Sequence, residues 1–178
     1  MRLRPTSANT VSAADRLALL GTLALVLLGT AALVTAQGVP LANVDTTGGQ
    51  QVFAANCTAC HQVTGAGIPA VFPPLAEHVP ELLAVEGGRH YLAAVVLFGL
   101  TGPIAVAGQA YDGLMPPWGH LSDAQLADVL NYVASAWGNH LVLPQGFVAF
   151  TAEEVLGIRG DALDSNAVHA VRQTLELE

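Results

Sequence analysis

Cys57-Thr58-Ala59-Cys60-His61 holds both cysteines of the chain and sets a histidine directly after the second. A disulfide between such close neighbours would close a tiny loop and remove little entropy from the unfolded chain. A zinc site needs two further ligands, and the remaining histidines (His78, His90, His120, His140 and His169) show no ligand-pair spacing. A thioredoxin-like redox pair asks for a βαβ setting, and no parallel-strand pattern surrounds this one. One chemistry uses all three residues together. Each thiol adds across a haem vinyl group to give a thioether, and the adjacent imidazole lies under the iron as proximal ligand. The run is therefore read as the attachment site of one covalent haem c.

Such an iron has a sixth position to fill. Met115 is the only methionine besides the initiator and lies in Tyr111-Asp112-Gly113-Leu114-Met115-Pro116-Pro117-Trp118-Gly119. Methionine is ordinarily core filler. A lone methionine on a proline-braced loop, in a chain already committed to haem, instead reads as the distal ligand, and thioether ligation opposite histidine raises the potential as electron transfer requires. His120 is the competing ligand and would give a lower potential, while an open sixth position would suit a gas sensor or a peroxidase. On the proximal side, Phe72-Pro73-Pro74-Leu75 is a rigid loop whose prolines have no amide donor. Its carbonyls are candidates to accept the proton on the outer nitrogen of His61. Arg89 is a candidate partner for a haem propionate, with a solvated surface arginine as the alternative.

Helices are expected around this site. Thr47 to Ala59 reads as a first helix with Val52, Phe53 and Ala54 on its apolar side, closed by the haem run. Pro80 to Glu86 reads as a short helix with Pro80 in its first turn, and Gly88 to Leu100 as a longer one with Tyr91, Ala94, Val95 and Phe98 near one face. Ile104 to Tyr111 alternates around Gly108, as a small hairpin does. Ser122 with Gln125 forms a capping-box pattern, and Leu126, Val129, Leu130, Val133 and Trp137 follow at helical steps until Gly138 ends the run. That stripe is expected to pack across the first helix near Phe53. Thr151-Ala152-Glu153-Glu154 opens a C-terminal extension with another capping box. Helices near 151–159 and 165–175 complete it, and it reads as a packing clamp because it holds no ligand cluster.

Ahead of all this, Leu17 to Ala36 is twenty residues without a charge, about 30 Å of helix and a match to the bilayer core. Arg2, Arg4 and Arg16 precede it with only Asp15 as acid, so the N-terminus is expected to stay cytoplasmic and the rest to be exported. An uncleaved signal anchor fits the length. A signal peptide cut between Ala36 and Gln37 is the alternative. The division expected is 1–16 cytoplasmic, 17–36 anchor or signal, 37–48 flexible tether, 49–138 haem domain and 139–178 extension. The whole chain has 178 residues, 52% of them hydrophobic and 11% charged, with no lysine. Beyond residue 36, three arginines stand against thirteen carboxylates, a formal charge of −10. That acidity excludes a nucleic-acid binder.

With these residues in place the chain resembles the class I cytochromes c, and most nearly the cytochrome c-552 type of thermophilic Thermus-group bacteria. The likeness covers roughly residues 48–178 and includes FAANCTACHQ, GIPAVFPPLAEH, EGGRHYL, the hairpin, YDGLM, LNYVASAWG and FTAEEV. It implies an all-α fold with a small β-hairpin, a helical extension and one haem. It also implies a monomeric electron carrier, not an enzyme, that takes electrons from an upstream donor and delivers them to a terminal haem–copper oxidase. By resemblance Cys57 and Cys60 are the thioether positions, His61 and Met115 the axial ligands, Pro73 the carbonyl that orients His61, and Leu75 a haem-packing residue. Ala59, Gln62, Leu114 and Pro117 would border the exposed haem edge. The anchor and the missing lysines depart from that family, and they favour an apolar contact at the haem edge over docking by a positive ring. A cytochrome subunit of a periplasmic dehydrogenase is the second reading. A haem sensor or peroxidase is the third.

Overall fold

Two helices meet at Gly49. The computed structural model describes residues 38–177. In it, α1 (Thr47–Asn56) lies across α5 (Asp123–Ser135) with no room for a side chain at this glycine. A β-carbon there would overlap the Asp128 carbonyl and come within 2.8 Å of Tyr132 Cβ. The close approach lets Phe53, 2% exposed, reach Tyr132 and Trp137 at ring-centroid distances of 5.4 and 5.1 Å. The expected stripe of α5 is buried: Leu126, Val129, Leu130 and Val133 all lie in the core. Its capping box is complete, with Gln125 N donating to Ser122 Oγ at 3.2 Å and Ser122 N to Gln125 Oε1 at 3.1 Å.

The helix stops earlier than its periodicity suggests. After Ser135 the chain tightens, and Trp137 adopts φ 54°. A left-handed tryptophan costs about 1–2 kcal/mol. In return its ring folds back over Gly65, where a β-carbon would lie 2.5 Å from it, and its Nε1 donates to the Val63 carbonyl at 3.0 Å.

The first helix also breaks where one continuous helix was expected. It ends at Asn56, and a single turn, α2 (Thr58–His61), follows. Next, α3 (His78–Ala84) begins two residues ahead of Pro80 because Glu77, at φ 66°, donates its amide to Asn139 Oδ1 at 2.8 Å. The helix α4 (Gly88–Phe98) is buried almost all round, not along one face. Gly99, at φ 78°, closes it, and the chain then enters β1 (Leu100–Thr101). The hairpin is present as β2 (Ile104–Val106) and β3 (Gln109–Tyr111), turning through Ala107 and Gly108 at φ 48° and 74°, the paired positive values of the tight turns that suit hairpin twist. A second antiparallel pair has no sequence signature. It joins β1 to β4 (Leu114–Met115), with Leu100 opposite Met115.

The C-terminal extension forms α6 (Ala152–Arg159) and α7 (Ser165–Arg172), which bury Val155, Ile158 and Val168 against α4 and α5. Of the capping box expected at Thr151, one half exists: Glu154 N donates to Thr151 Oγ1, but the Glu154 carboxylate is drawn away to Arg89.

Residues 38–46, expected to belong to a flexible tether, are instead fastened to the domain. Ala149 N donates to the Val39 carbonyl at 2.9 Å, Pro40 bridges Val148, and Leu41 is buried in a short 3-10 turn. The backbone of Gly38 lies directly on the Val148 side chain. Residues 1–16 and the apolar run 17–36 lie outside the described residues. Among those described, no helix is long and apolar enough to cross a membrane.

Candidate functional site

The helix break at Cys57 brings the Cys57–His61 run to the wall of a cavity. The thiols of Cys57 and Cys60 are free, and both residues line this cavity with His61. Before any attachment, burial, reinforced by Cys60, pushes the Cys57 thiol up to about 11. The His61 ring is 8% exposed and its Nδ1 lies 3.0 Å from the Pro73 carbonyl. With Nδ1–H donating to that carbonyl, Nε2 carries the free lone pair. Burial holds the imidazole below its ordinary pKa, opposed by the Pro73 bond, which keeps it neutral and ready to ligate. The Pro73 loop is itself pinned, since Leu75 N donates to the Gly65 carbonyl at 2.7 Å and Leu75 O accepts from Asn139 Nδ2 at 3.2 Å.

Met115 comes to the same cavity from β4, as do Pro73 and Leu75 from the loop. It is half-buried, and its strand pairing with Leu100 sets its position. His120 is exposed, stacks beside Trp118 at 5.6 Å and is absent from the cavity wall. Among the lining residues there is no carboxylate, and the helices α3 and α4 supply Leu82, Leu92 and Val95. Of the residues expected at the rim, Leu114 lines the cavity while 67% exposed, Ala59 and Pro117 are exposed, and Gln62 is half-buried. Val71, 50% exposed, also reaches the cavity.

Arg89 does not serve this site. Its Nε and Nη2 donate to the two Glu154 carboxylate oxygens at 2.6 and 2.7 Å, and its Nη1 and Nη2 donate to the Val148 and Ala149 carbonyls. Its guanidinium lies 3.9 Å above the Phe150 ring. Every part of it holds the C-terminal segment. The arginine that sequence reasoning missed is Arg172. It is 5% exposed, donates from Nη2 to the Ala105 carbonyl at 2.9 Å, and lies 5.5 Å from the ring of Tyr91, which lines the cavity. Its Nη1 is buried without a hydrogen-bond partner. An orphaned guanidinium N–H beside a largely apolar cavity is costly unless an anion completes it, and the carboxylates of a haem answer that need. Nothing at Arg172 in the sequence marks it for this role.

Two thiols, a neutral imidazole, a thioether and a buried guanidinium with one unpartnered N–H therefore fit a haem. A scan of family models matches the cytochrome c family over residues 47–137. The chain belongs to the cytochrome c family. It is 47% identical to cytochrome c-552 of Thermus thermophilus over 141 residues, 79% of this chain and 92% of that one. It is 35% identical to the cytochrome c subunit of a quinone-type alcohol dehydrogenase of Gluconobacter oxydans over 98 residues, 52% of this chain and 19% of the other. It is 32% identical to the CcoP subunit of the cbb3-type cytochrome c oxidase of Rhodobacter capsulatus over 102 residues, 57% of this chain and 32% of the subunit. As a monohaem cytochrome c it carries electrons and is not an enzyme. Haem c is its covalent cofactor, and Cys57-Thr58-Ala59-Cys60-His61 supplies the attachment motif.

Tyr91 gives this cytochrome a measurable alkaline limit. Burial pushes its phenol up to about 12, opposed by Arg172. The charged form is disfavoured in the fold, so Tyr91 contributes stability that is whole below the unfolded value near 10 and is lost as the pH rises toward 12. Denaturant melts of wild type and Tyr91→Phe at pH 9 and pH 11.5 test this. The wild type is expected to lose more stability over that interval, and an equal loss in both proteins refutes the assignment.

Proposed function

We propose that this cytochrome takes single electrons from an upstream respiratory donor and passes them to a terminal haem–copper oxidase. In this reading its haem domain sits on the outer face of the cytoplasmic membrane. The observation that carries the reading is the meeting of Cys57, Cys60, His61 and Met115 on one cavity without a carboxylate. Cys57 and Cys60 hold the haem by thioethers, His61 and Met115 ligate the iron, Pro73 orients His61, and Leu75 packs on the ring. Bound haem supplies an iron that gains and loses one electron. The chain's part is to keep both ligands in place in each state and to exclude water, which disfavours the extra charge of the ferric form and raises the potential. The unpartnered Nη1 of Arg172 would be the donor available to a haem carboxylate.

Electrons leave where apolar side chains meet both cavity and solvent, at Leu114 and Val71. With no lysine and a body of −10, the partner contact is small and apolar, as transient redox complexes of under about 1,200 Å² allow. The rate of oxidation of the reduced protein by a purified haem–copper oxidase is expected to change little with ionic strength and to fall on Leu114→Asp. A steep fall with added salt overturns apolar docking. The likeness to an alcohol dehydrogenase cytochrome subunit supports the second reading. Copurification with a dehydrogenase, together with no turnover by the oxidase, would select it.

A further inference from the structure

A second apolar surface lies at the place where the described chain begins. Val39, Leu141, Val142 and Val148 are 53, 77, 63 and 36% exposed. Their chain neighbours Pro40, Leu41, Leu143, Pro144 and Phe147 line a groove, together with the polar Thr46, Ser135 and His140. None of these four is drawn from the cavity wall around Leu114 and Val71. In segments 38–46 and 135–149 the only acid is Asp45, and its carboxylate accepts from Thr47 N at 2.9 Å, at the start of α1. These segments thus hold one of the thirteen carboxylates past residue 36, and the charges that reach them from other elements, Arg89 on the Val148 carbonyl and Glu154 behind it, are paired with each other.

The covalent chain limits where that face can go. Gly38 is already fastened to Val148, and Gln37 alone separates it from the apolar run that ends at Ala36. Two residue steps reach about 7 Å at most. If that run stays in the bilayer, the covalent chain keeps Gly38 within that distance of its last residue. We propose that the face formed by Val39, Leu141, Val142 and Val148 rests on the phospholipid bilayer, its side chains entering the headgroup–acyl boundary as those of interfacial anchors do. This rests on the reading of 17–36 as an uncleaved anchor. It makes the carrier a protein that meets its partners by lateral diffusion. The acidic remainder of the surface is kept away from anionic headgroups, which would repel it.

The full haem-loaded chain, reconstituted in phosphatidylcholine vesicles carrying a photoactivatable phospholipid, provides the test, with lipid adducts mapped by mass spectrometry. Adducts are expected over 39–44 and 140–148 as well as over 17–36. The double variant Leu141→Asp/Val142→Asp, changed at two well-exposed positions, is expected to lose the first two sets and keep the third. Adducts confined to 17–36 would overturn the proposal and leave the anchor standing. No adducts at 17–36 would overturn the anchor reading and the proposal with it.

Discussion

Replacing Met115 by alanine is expected to lower the midpoint potential by about 100 mV or more, within the ~0.8 V range that axial ligation commands. The thioether favours ferrous iron, and its loss opens a coordination position that water or carbon monoxide can enter. The substitution leaves the frame intact, because the Met115 backbone is placed independently of its side chain. It pairs with Leu100 and passes so close to Gly99 that a β-carbon there would lie 2.5 Å from the Met115 carbonyl. A redox titration with spectra in both states, with and without carbon monoxide, reads the result. Wild-type ferrous protein is expected to exclude carbon monoxide at neutral pH, and Met115→Ala to bind it. An unchanged potential and spectrum in the variant would remove Met115 from the iron. Carbon monoxide binding by the wild type would favour the sensor or peroxidase reading.

Gly49→Ala is expected to destabilise the protein by about 3 kcal/mol, the upper end for overpacking a closed contact, or roughly 10 °C in Tm for a domain of this size. The obstruction is backbone: the added methyl overlaps the Asp128 carbonyl inside α5, which cannot rotate aside, and Tyr132 Cβ lies just beyond. Relief requires the two helices to part, and that loosens Phe53 against Tyr132 and Trp137. Gly108→Ala is the matched control. Its φ of 74° strains an alanine, but no atom lies within 4 Å of the new methyl, so a loss of about 1 kcal/mol is expected. Equal losses in the two variants would show that backbone conformation, not the α1–α5 approach, sets the cost at Gly49.

Neither Gly49 nor the β1–β4 pair is visible along the chain, and for the same reason. A glycine in a helix reads as a weak helix former, and two-residue strands have no alternation to detect. Both owe their place to a partner more than a dozen residues distant. By contrast, the capping box at Ser122 lies within four residues and forms as read. The one at Thr151 forms only in part, because a distant arginine competes for Glu154.

What the chain determines by itself is local and chemical. Two cysteines and a histidine within five residues specify covalent haem attachment whatever surrounds them, and a single internal methionine on a proline-braced loop leaves little choice for a soft ligand. The hairpin and the α5 stripe belong to the same class, since their signals repeat within a few residues. The tertiary structure alone decided how each arginine is engaged. Arg89 is taken by Glu154, 65 residues away in sequence. Arg172, bonded to Ala105 across 67 residues, is left with a buried unsatisfied N–H beside the cavity. It also decided that residues 38–46 belong to the domain and not to a tether. Long-range hydrogen bonds and burial are won in competition among all segments of the chain, and no stretch carries the outcome of that competition in its own residues.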